Sequence, residues 1–530
     1  MDHLTSLDAS FLHFEAAETP MHVGSLMLFE LPPGYSGDYF EDVKAVIGKR
    51  MHLVRVFHRK LATMPFDLAD PLWVDDDDID LDFHVRHVML RKPGSMAQLE
   101  QLVARLHSSL LDRSRPLWEI CVIEGLSDGR VGLYVKAHHS GIDGKAGVEL
   151  SKIIYDLSPQ VREVPPPRRR SAGPAQRPLG MAELLRAGLS NSLLQYGKMA
   201  RLVPTGVKAV LTTAKIVAKR RKPEAGRGLN LGLGPKTLMN VTITNQRSFA
   251  TLSMPLADIK ALGARVGGTV NTIVMAMCAG GLRRFLTERG PLPQKPLIAA
   301  VPVSLRAADD ASANNQVTMV RVDLATDIAD PAARFKAIHN SSEGAKSVVR
   351  ELKPVLGVDL PVFGSPWLMS GLAAVAVRSG LFNAMPQVAN AVISNVPGIP
   401  VPLYLAGARA TNFYPVSIPY HGMAINITVQ SYAGQLEFGL TACRRVFTHD
   451  ELHELLGYMR DTLAEIRSFE ALPGFEDKAE ASKFDTAKAD AARADTAKVP
   501  TVRAAASTTT PRPSAQVHPL PRRTAARRKA

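Results

Sequence analysis

Two adjacent imidazoles, His138 and His139, open the stretch His138-His139-Ser140-Gly141-Ile142-Asp143-Gly144. The ordinary pKa of histidine lies close to neutrality, so a positioned imidazole can take a proton from a reacting hydroxyl. Gly141 and Gly144 permit a backbone turn that bulkier residues would resist. Asp143 is close enough in sequence to fix that turn or to orient an imidazole. A base on a turn with a carboxylate beside it is the arrangement that acyl transfer to an alcohol needs. Metal binding is the rival chemistry. Adjacent side chains point in different directions, and no partner at His-x-x-x-His spacing accompanies them, so no metal is expected here.

The flanking pattern supplies a strand and a helix to hold this turn. Val131 to Ala137 alternates as a strand does, and a helical pattern starts near Lys145. Ile120-Cys121-Val122-Ile123 precedes them, with Ser127-Asp128-Gly129 between, which reads as a hairpin. Leu26 to Phe29 predicts a further strand, and helical spacing recurs at Phe40 to His52 and Met96 to Leu111. These elements make a first body over residues 1–157. A second, over 237–470, predicts a helix from Thr269 to Leu286, strands at Leu297 to Val303 and Val317 to Leu324, and a last helix from Asp450 to Ile466. Met423 to Val429 and Leu436 to Leu440 alternate about Ala433-Gly434, a second hairpin.

A chain of 530 residues exceeds one ordinary core, so two domains are expected. The net charge of +14 is uneven. Residues 157–236 carry 16 Lys/Arg against 3 Asp/Glu, and residues 475–530 carry 12 against 6, which leaves the rest at −5. Basic character therefore belongs to a connector (158–236) and a tail (471–530), which argues against a nucleic-acid-binding core. The connector starts with Pro165-Pro166-Pro167-Arg168-Arg169-Arg170 and continues with helical patterns through Leu184 to Leu194 and Val207 to Val217. The tail repeats Asp-Thr-Ala-Lys-like units with few large apolar groups, so disorder is its default. Cys121, Cys278 and Cys443 lie far apart, which fits a reducing compartment, and the N-terminus lacks a signal-peptide pattern. Leu360 to Val377 is uncharged but broken by Pro361 and Pro366, and reads as a buried or interface helix rather than a membrane span.

HHSGIDG matches the HHxxxDG signature of condensing acyltransferases, the group related to chloramphenicol acetyltransferase and peptide-synthetase condensation domains. Further stretches narrow the likeness. They are Leu7-Asp8-Ala9-Ser10-Phe11, Thr19-Pro20-Met21-His22-Val23-Gly24, Pro116-Leu117-Trp118-Glu119, Val270-Asn271-Thr272, Val301-Pro302-Val303-Ser304-Leu305-Arg306 and Ser394-Asn395-Val396-Pro397-Gly398. In that order, through about residue 469, the chain resembles the bacterial wax ester synthase/diacylglycerol acyltransferase family.

The resemblance implies an α/β fold of two chloramphenicol-acetyltransferase-like domains, joined here by the basic connector, with a substrate channel between them. It implies a long-chain acyl-CoA as co-substrate, no resident cofactor, and diacylglycerol or a fatty alcohol as acceptor. His139 would be the general base, with His138 and Asp143 supporting the site. Asn271 falls where the family has an Asn-Asp pair and is the candidate oxyanion donor; a helix N-cap is its structural alternative. Thr272 replaces the family's aspartate, and Ile399 stands where a proline is common. Trp118 is expected in the core, and Arg306 in an ion pair rather than on a CoA phosphate.

The connector has two readings: a solvated helix pair, or an anchor that meets anionic lipid and holds the enzyme on the cytoplasmic face of a membrane or on a lipid droplet. A related condensing enzyme acting on a sugar, polyketide or amine is the alternative activity. A weakly active lipid-surface protein is the alternative of another class.

Overall fold

The computed structural model describes residues 2–62, 70–142, 144–166, 233–304, 317–356 and 387–469. The strands among them are β1 (Asp2–His3), β2 (His22–Glu30), β3 (Arg59–Ala62), β4 (Leu72–Asp75), β5 (Val85–Met89), β6 (Trp118–Glu124), β7 (Val131–His138), β8 (Arg247–Pro255), β9 (Ile298–Ser304), β10 (Val317–Asp323), β11 (Ala391–Val396), β12 (Tyr404–Leu405), β13 (Ala408–Val416), β14 (Ile425–Tyr432) and β15 (Gln435–Cys443). The helices are α1 (Ser6–Phe14), α2 (Tyr39–Arg50), α3 (Leu81–His84), α4 (Met96–His107), α5 (Gly144–Ile154), α6 (Leu256–Val266), α7 (Val270–Thr287), α8 (Pro331–Leu356) and α9 (His449–Arg467).

Two six-stranded sheets carry the architecture, in the orders β12-β13-β2-β7-β6-β5 and β10-β9-β11-β14-β15-β8, and a small sheet holds β1-β4-β3. Most pairings are antiparallel, but β5 runs parallel to β6, and β11 runs parallel to both β9 and β14. This is the mixed α/β arrangement expected from the motif series.

Alternation explains how the first sheet is buried on both faces. Ile120 and Val122 enter one cluster with Val43 and Ile47 of α2 and Ile154 of α5. Cys121 and Ile123 enter the opposite cluster with Leu99 and Val103 of α4. The period of two puts successive side chains on opposite faces, and each face has its own helical cover. The β6–β7 hairpin turns at Gly129, whose φ of 78° suits glycine.

The second sheet packs on α7, whose side chains from Thr272 to Leu282 are all buried. A β-carbon at Gly280 would meet Thr462 Oγ1 at 2.3 Å, so this glycine lets α7 and α9 approach closely. No single helix among the described residues is long and apolar enough to cross a membrane; the bent pair α6–α7 passes such a test together, and α7 lies in the core.

One strand crosses between the halves. β13 leaves the later part of the chain and pairs antiparallel with β2, from Arg409 opposite Glu30 to Val416 opposite Gly24. Phe249 of β8 reaches in the same direction, into the cluster under α4. Leu360 to Val377, Arg306, the connector from 167 to 232 and the tail from 470 onward lie outside the described residues.

Candidate active site

His138 is the last residue of β7, so both imidazoles leave the sheet at a strand end. The backbone N–H of His138 donates to the Leu117 carbonyl at 3.0 Å, and that of His139 donates to the Met21 carbonyl at 2.8 Å. Each histidine is thus fixed to a different stretch of the motif series. Gly141 N–H closes the turn onto the His138 carbonyl at 3.0 Å.

The side chains diverge. His138 is buried, and its Nδ1 lies 3.1 Å from the Ser140 backbone N–H and 2.7 Å from Ser140 Oγ. A backbone N–H can only donate, so Nδ1 accepts and the proton of the neutral ring sits on Nε2. Nε2 faces Glu15 Oε1 at 3.3 Å. His138 therefore has no free basic nitrogen to offer a substrate.

The His139 ring is partly buried and lies flat on Phe11, with centroids 4.1 Å apart and planes 10° apart. Burial pushes its pKa down to about 4; a hydrogen bond to its own backbone opposes this, and His138 adds to it. The ring is consequently neutral at physiological pH, the form that accepts a proton.

Glu15, just past α1, was not legible in the sequence and joins these parts. Its Oε1 accepts the Met21 N–H at 3.0 Å, and its Oε2 accepts two Arg113 N–H groups at 3.0 and 2.8 Å. Burial alone would raise its pKa, but His138, Arg113 and the Met21 N–H outweigh that and hold it at about 2. Its position between the Leu7-Asp8-Ala9-Ser10-Phe11 and Thr19-Pro20-Met21-His22-Val23-Gly24 stretches was the available signal.

A second unforeseen layer lies behind the strand end. His22 stands opposite His138 in register, and its Nε2 is 2.8 Å from the His107 carbonyl. His107 Nδ1 meets Tyr134 OH at 2.8 Å, and its Nε2 donates to the Ser417 carbonyl at 3.0 Å. Burial pushes the His107 pKa down to about 3 and that of His22 well below its ordinary value. Lys136 is buried beside them and pairs with Glu119 at 3.1 Å.

Trp118 is fully buried, stacked on Phe57 and His84, with Nε1–H donating to the Phe57 carbonyl at 3.1 Å. Asn271 is not the N-cap of α7. Thr269 holds that place, exchanging hydrogen bonds with Thr272 in a capping box. Asn271 sits two residues further on, and its Nδ2 donates to Ser342 Oγ of α8 at 3.4 Å, while Thr272 Oγ1 meets His339 Nδ1 at 3.3 Å. The described hydrogen bonds thus bring His138, His139 and Glu15 together and tie Asn271 to α8. Asp143 lies outside the described residues. Beyond Asn395, Gly398 is demanded by space, since a β-carbon there would sit 1.7 Å from the Ser431 carbonyl oxygen. Ile399 is buried in the first sheet's core, an environment that suits its side chain.

The sequence profile of the wax ester synthase/diacylglycerol acyltransferase catalytic domain matches residues 4–274, and that of the C-terminal domain of this group matches residues 313–467. A protein of Mycobacterium tuberculosis named as a diacylglycerol O-acyltransferase is 38% identical over 474 residues, covering 88% of this chain and 99% of its own. The O-acyltransferase WSD of Acinetobacter baylyi is 33% identical over 485 residues, covering 89% and 98%. The solved wax ester synthase/diacylglycerol acyltransferase of Marinobacter aquaeolei is 31% identical, with a TM-score of 0.61 over 87% of this chain and 98% of that one. The first condensation domain of the calcium-dependent antibiotic synthetase shares the fold at a TM-score of 0.52, with 15% identity, over 89% of this chain and 98% of that domain. With both domain profiles matched in order around the His138–His139 turn, the chain belongs to the wax ester synthase/diacylglycerol acyltransferase family and is an acyltransferase.

Proposed function

We propose that the chain moves the acyl group of a long-chain acyl-CoA onto the free hydroxyl of a diacylglycerol, with long-chain alcohols as a second acceptor class, and that His139 is the general base. One observation carries the assignment to His139. The neighbouring imidazole is engaged, with Nδ1 occupied by Ser140 and Nε2 turned to Glu15, while the His139 ring lies flat on Phe11.

In this reading His139 takes the proton of the acceptor hydroxyl as its oxygen attacks the thioester carbonyl. The tetrahedral intermediate then collapses, the C–S bond breaks, and the CoA thiolate receives the proton from the imidazolium. Glu15 and His138 hold the turn through Met21 and Leu117. Asn271 is the donor that the resemblance suggests for the oxyanion; its Nδ2 carries two N–H groups, one directed to Ser342 and the second available to donate. The test is release of free CoA thiol by purified protein given long-chain acyl-CoA with either diacylglycerol or a fatty alcohol. His139→Ala should lower kcat by ~10²–10⁴-fold. Equal thiol release by wild type and variant on both acceptors would sink the reading, and the ratio between acceptors gives the preferred ester.

The substrates favour a peripheral site of action at the cytoplasmic face of a membrane or at a lipid droplet, reached through the basic connector. Lysines and arginines near a surface add about 1 kcal/mol each toward anionic lipid. Deleting 168–222, or neutralising Lys219, Arg220, Arg221 and Lys222, should weaken binding to anionic liposomes; unchanged binding would refute the anchor.

A further inference from the structure

A second cluster of ionisable groups lies away from the His138–His139 turn, where α4 of the first half meets β8 and α9 of the second. Glu100 is in the middle of α4 with a side chain only 1% exposed. Its Oε1 is taken by two donors of Thr251, the backbone N–H at 2.8 Å and Oγ1 at 2.7 Å. Its Oε2 faces two imidazole nitrogens, His449 Nε2 at 2.8 Å and His453 Nε2 at 2.7 Å. One ligand-type atom from each of the three residues lies within 4.8 Å of the others.

We propose that Glu100, His449 and His453 form a binding site for one divalent transition-metal ion of the zinc class, with water as the fourth ligand. His449 and His453 are four residues apart at the start of α9, so one helix face presents both Nε2 atoms to the same point. Two imidazoles and one carboxylate are a donor set suited to zinc, and three protein ligands with an open position make a familiar four-coordinate geometry. The side chain of His453 is 44% exposed, which gives the fourth position access to solvent.

Charge favours the ion over a purely protonated cluster. The rings of His449 and His453 lie with centroids 4.7 Å apart, so protonating both puts like charges side by side against a single carboxylate oxygen. A dication leaves the same net charge of +1, but places it on one ion that both neutral rings and the carboxylate attract, with no repulsion between the rings. The outer contacts also suit ligation. Thr251 fixes the unused oxygen of Glu100, and Asp450 Oδ1 lies 3.5 Å from His449 Nδ1, the usual partner of a ligating histidine. Asp450 and Glu451 in the first turn of α9 offset the positive helix end that would otherwise repel a cation. Accepting an ion at about 2.0–2.2 Å from each donor requires Glu100 Oε2 to separate from each Nε2 by roughly half an ångström.

The ion would staple α4 to α9. Since α4 ends at His107, which holds Ser417, the staple and the buried polar layer behind the catalytic turn share one helix. The test uses full-length, tag-free protein stripped with chelator and titrated with Co²⁺, then with Zn²⁺. A visible d–d band saturating at about one equivalent, bleached by Zn²⁺, is expected. Zinc at a hundredfold excess over Kd should raise Tm by about 2–4 °C. His449→Gln/His453→Gln should abolish both signals, and the partly exposed single variant His453→Asn guards against a folding defect. Absence of the band and of the Tm shift in the wild type overturns the site, as does undiminished cobalt binding in a folded His453→Asn and in the double variant.

Discussion

Replacing Glu15 by glutamine removes one charge while keeping the shape of the side chain that ties Met21, Arg113 and His138 together. Its carboxyl titrates at about 2 rather than at its ordinary 4.5, and its side chain is 4% exposed. At about 1.4 kcal/mol per tenfold difference in proton affinity, the depression is worth about 3 kcal/mol to the folded chain. Because the folded-state pKa lies below the unfolded one, this stability is present above pH 4.5 and is lost as pH falls toward 2. Glu15→Gln should therefore cost about 3 kcal/mol in chemical denaturation at pH 7, and the gap from wild type should narrow to about 2 kcal/mol at pH 3.5. Glutamine can still accept the Met21 N–H but not the two Arg113 donors, which loosens the loop whose Met21 carbonyl holds the His139 N–H, so kcat should fall about tenfold with the protein still folded, or roughly 1.4 kcal/mol of barrier. A gap below about 1 kcal/mol at pH 7, or one that stays constant from pH 7 to 3.5, would show that the carboxylate is not bound as the contacts indicate.

Two further outcomes follow from the same geometry. With His139 titrating at about 4, kcat/KM should hold level down to about pH 5 and then drop about tenfold per pH unit below 4 as the ring protonates; a one-proton limb centred near 6.5 in the pH–rate profile would contradict the buried, stacked ring. Gly398→Ala should cost at least about 2 kcal/mol, because the added methyl would meet the Ser431 carbonyl oxygen at 1.7 Å, and a wild-type Tm would show that the loop yields freely.

What could be read from the chain divides by the range of the interaction. The hairpins β6–β7 and β14–β15 are encoded locally by alternation and a turn, and both were legible, as was α9 from its spacing. Strand partners remote in sequence were not. The pairing of β8 with β15, or of β13 with β2, depends on which edge is open once everything else is placed, and no short-range pattern carries that. The same holds within the site. His138 and His139 stood out because two imidazoles and two glycines are rare together. Glu15, His22 and His107 are ordinary polar residues until folding sets Glu15 against His138 and His22 against His107. Asn271 was picked by its place in a motif, yet Thr269 caps its helix, because a threonine pair can satisfy the first turn reciprocally. Glu100, His449 and His453 escaped because the carboxylate that both imidazoles face is none of their neighbours Asp450, Glu451 and Glu454; α4 supplies it from 349 residues away.

The passage of β13 into the sheet of β2 sets a schedule for the newborn protein. When a ribosome has made β7 and the two histidines, the strand that will cover the outer edge of β2 is still roughly 270–280 residues from completion. At about 5–20 residues per second that gap lasts about 15–55 s, with the hydrogen-bonding groups of β2 facing water or the wrong neighbour. Expression yield should therefore respond to translation speed and to chaperones that shield open strand edges. A chain cut at residue 157 would carry every residue of the histidine turn and still lack a wall of its sheet. Supplying the later segment in trans is the natural way to restore it, so this enzyme is better suited to split-protein complementation than to dissection into free-standing halves.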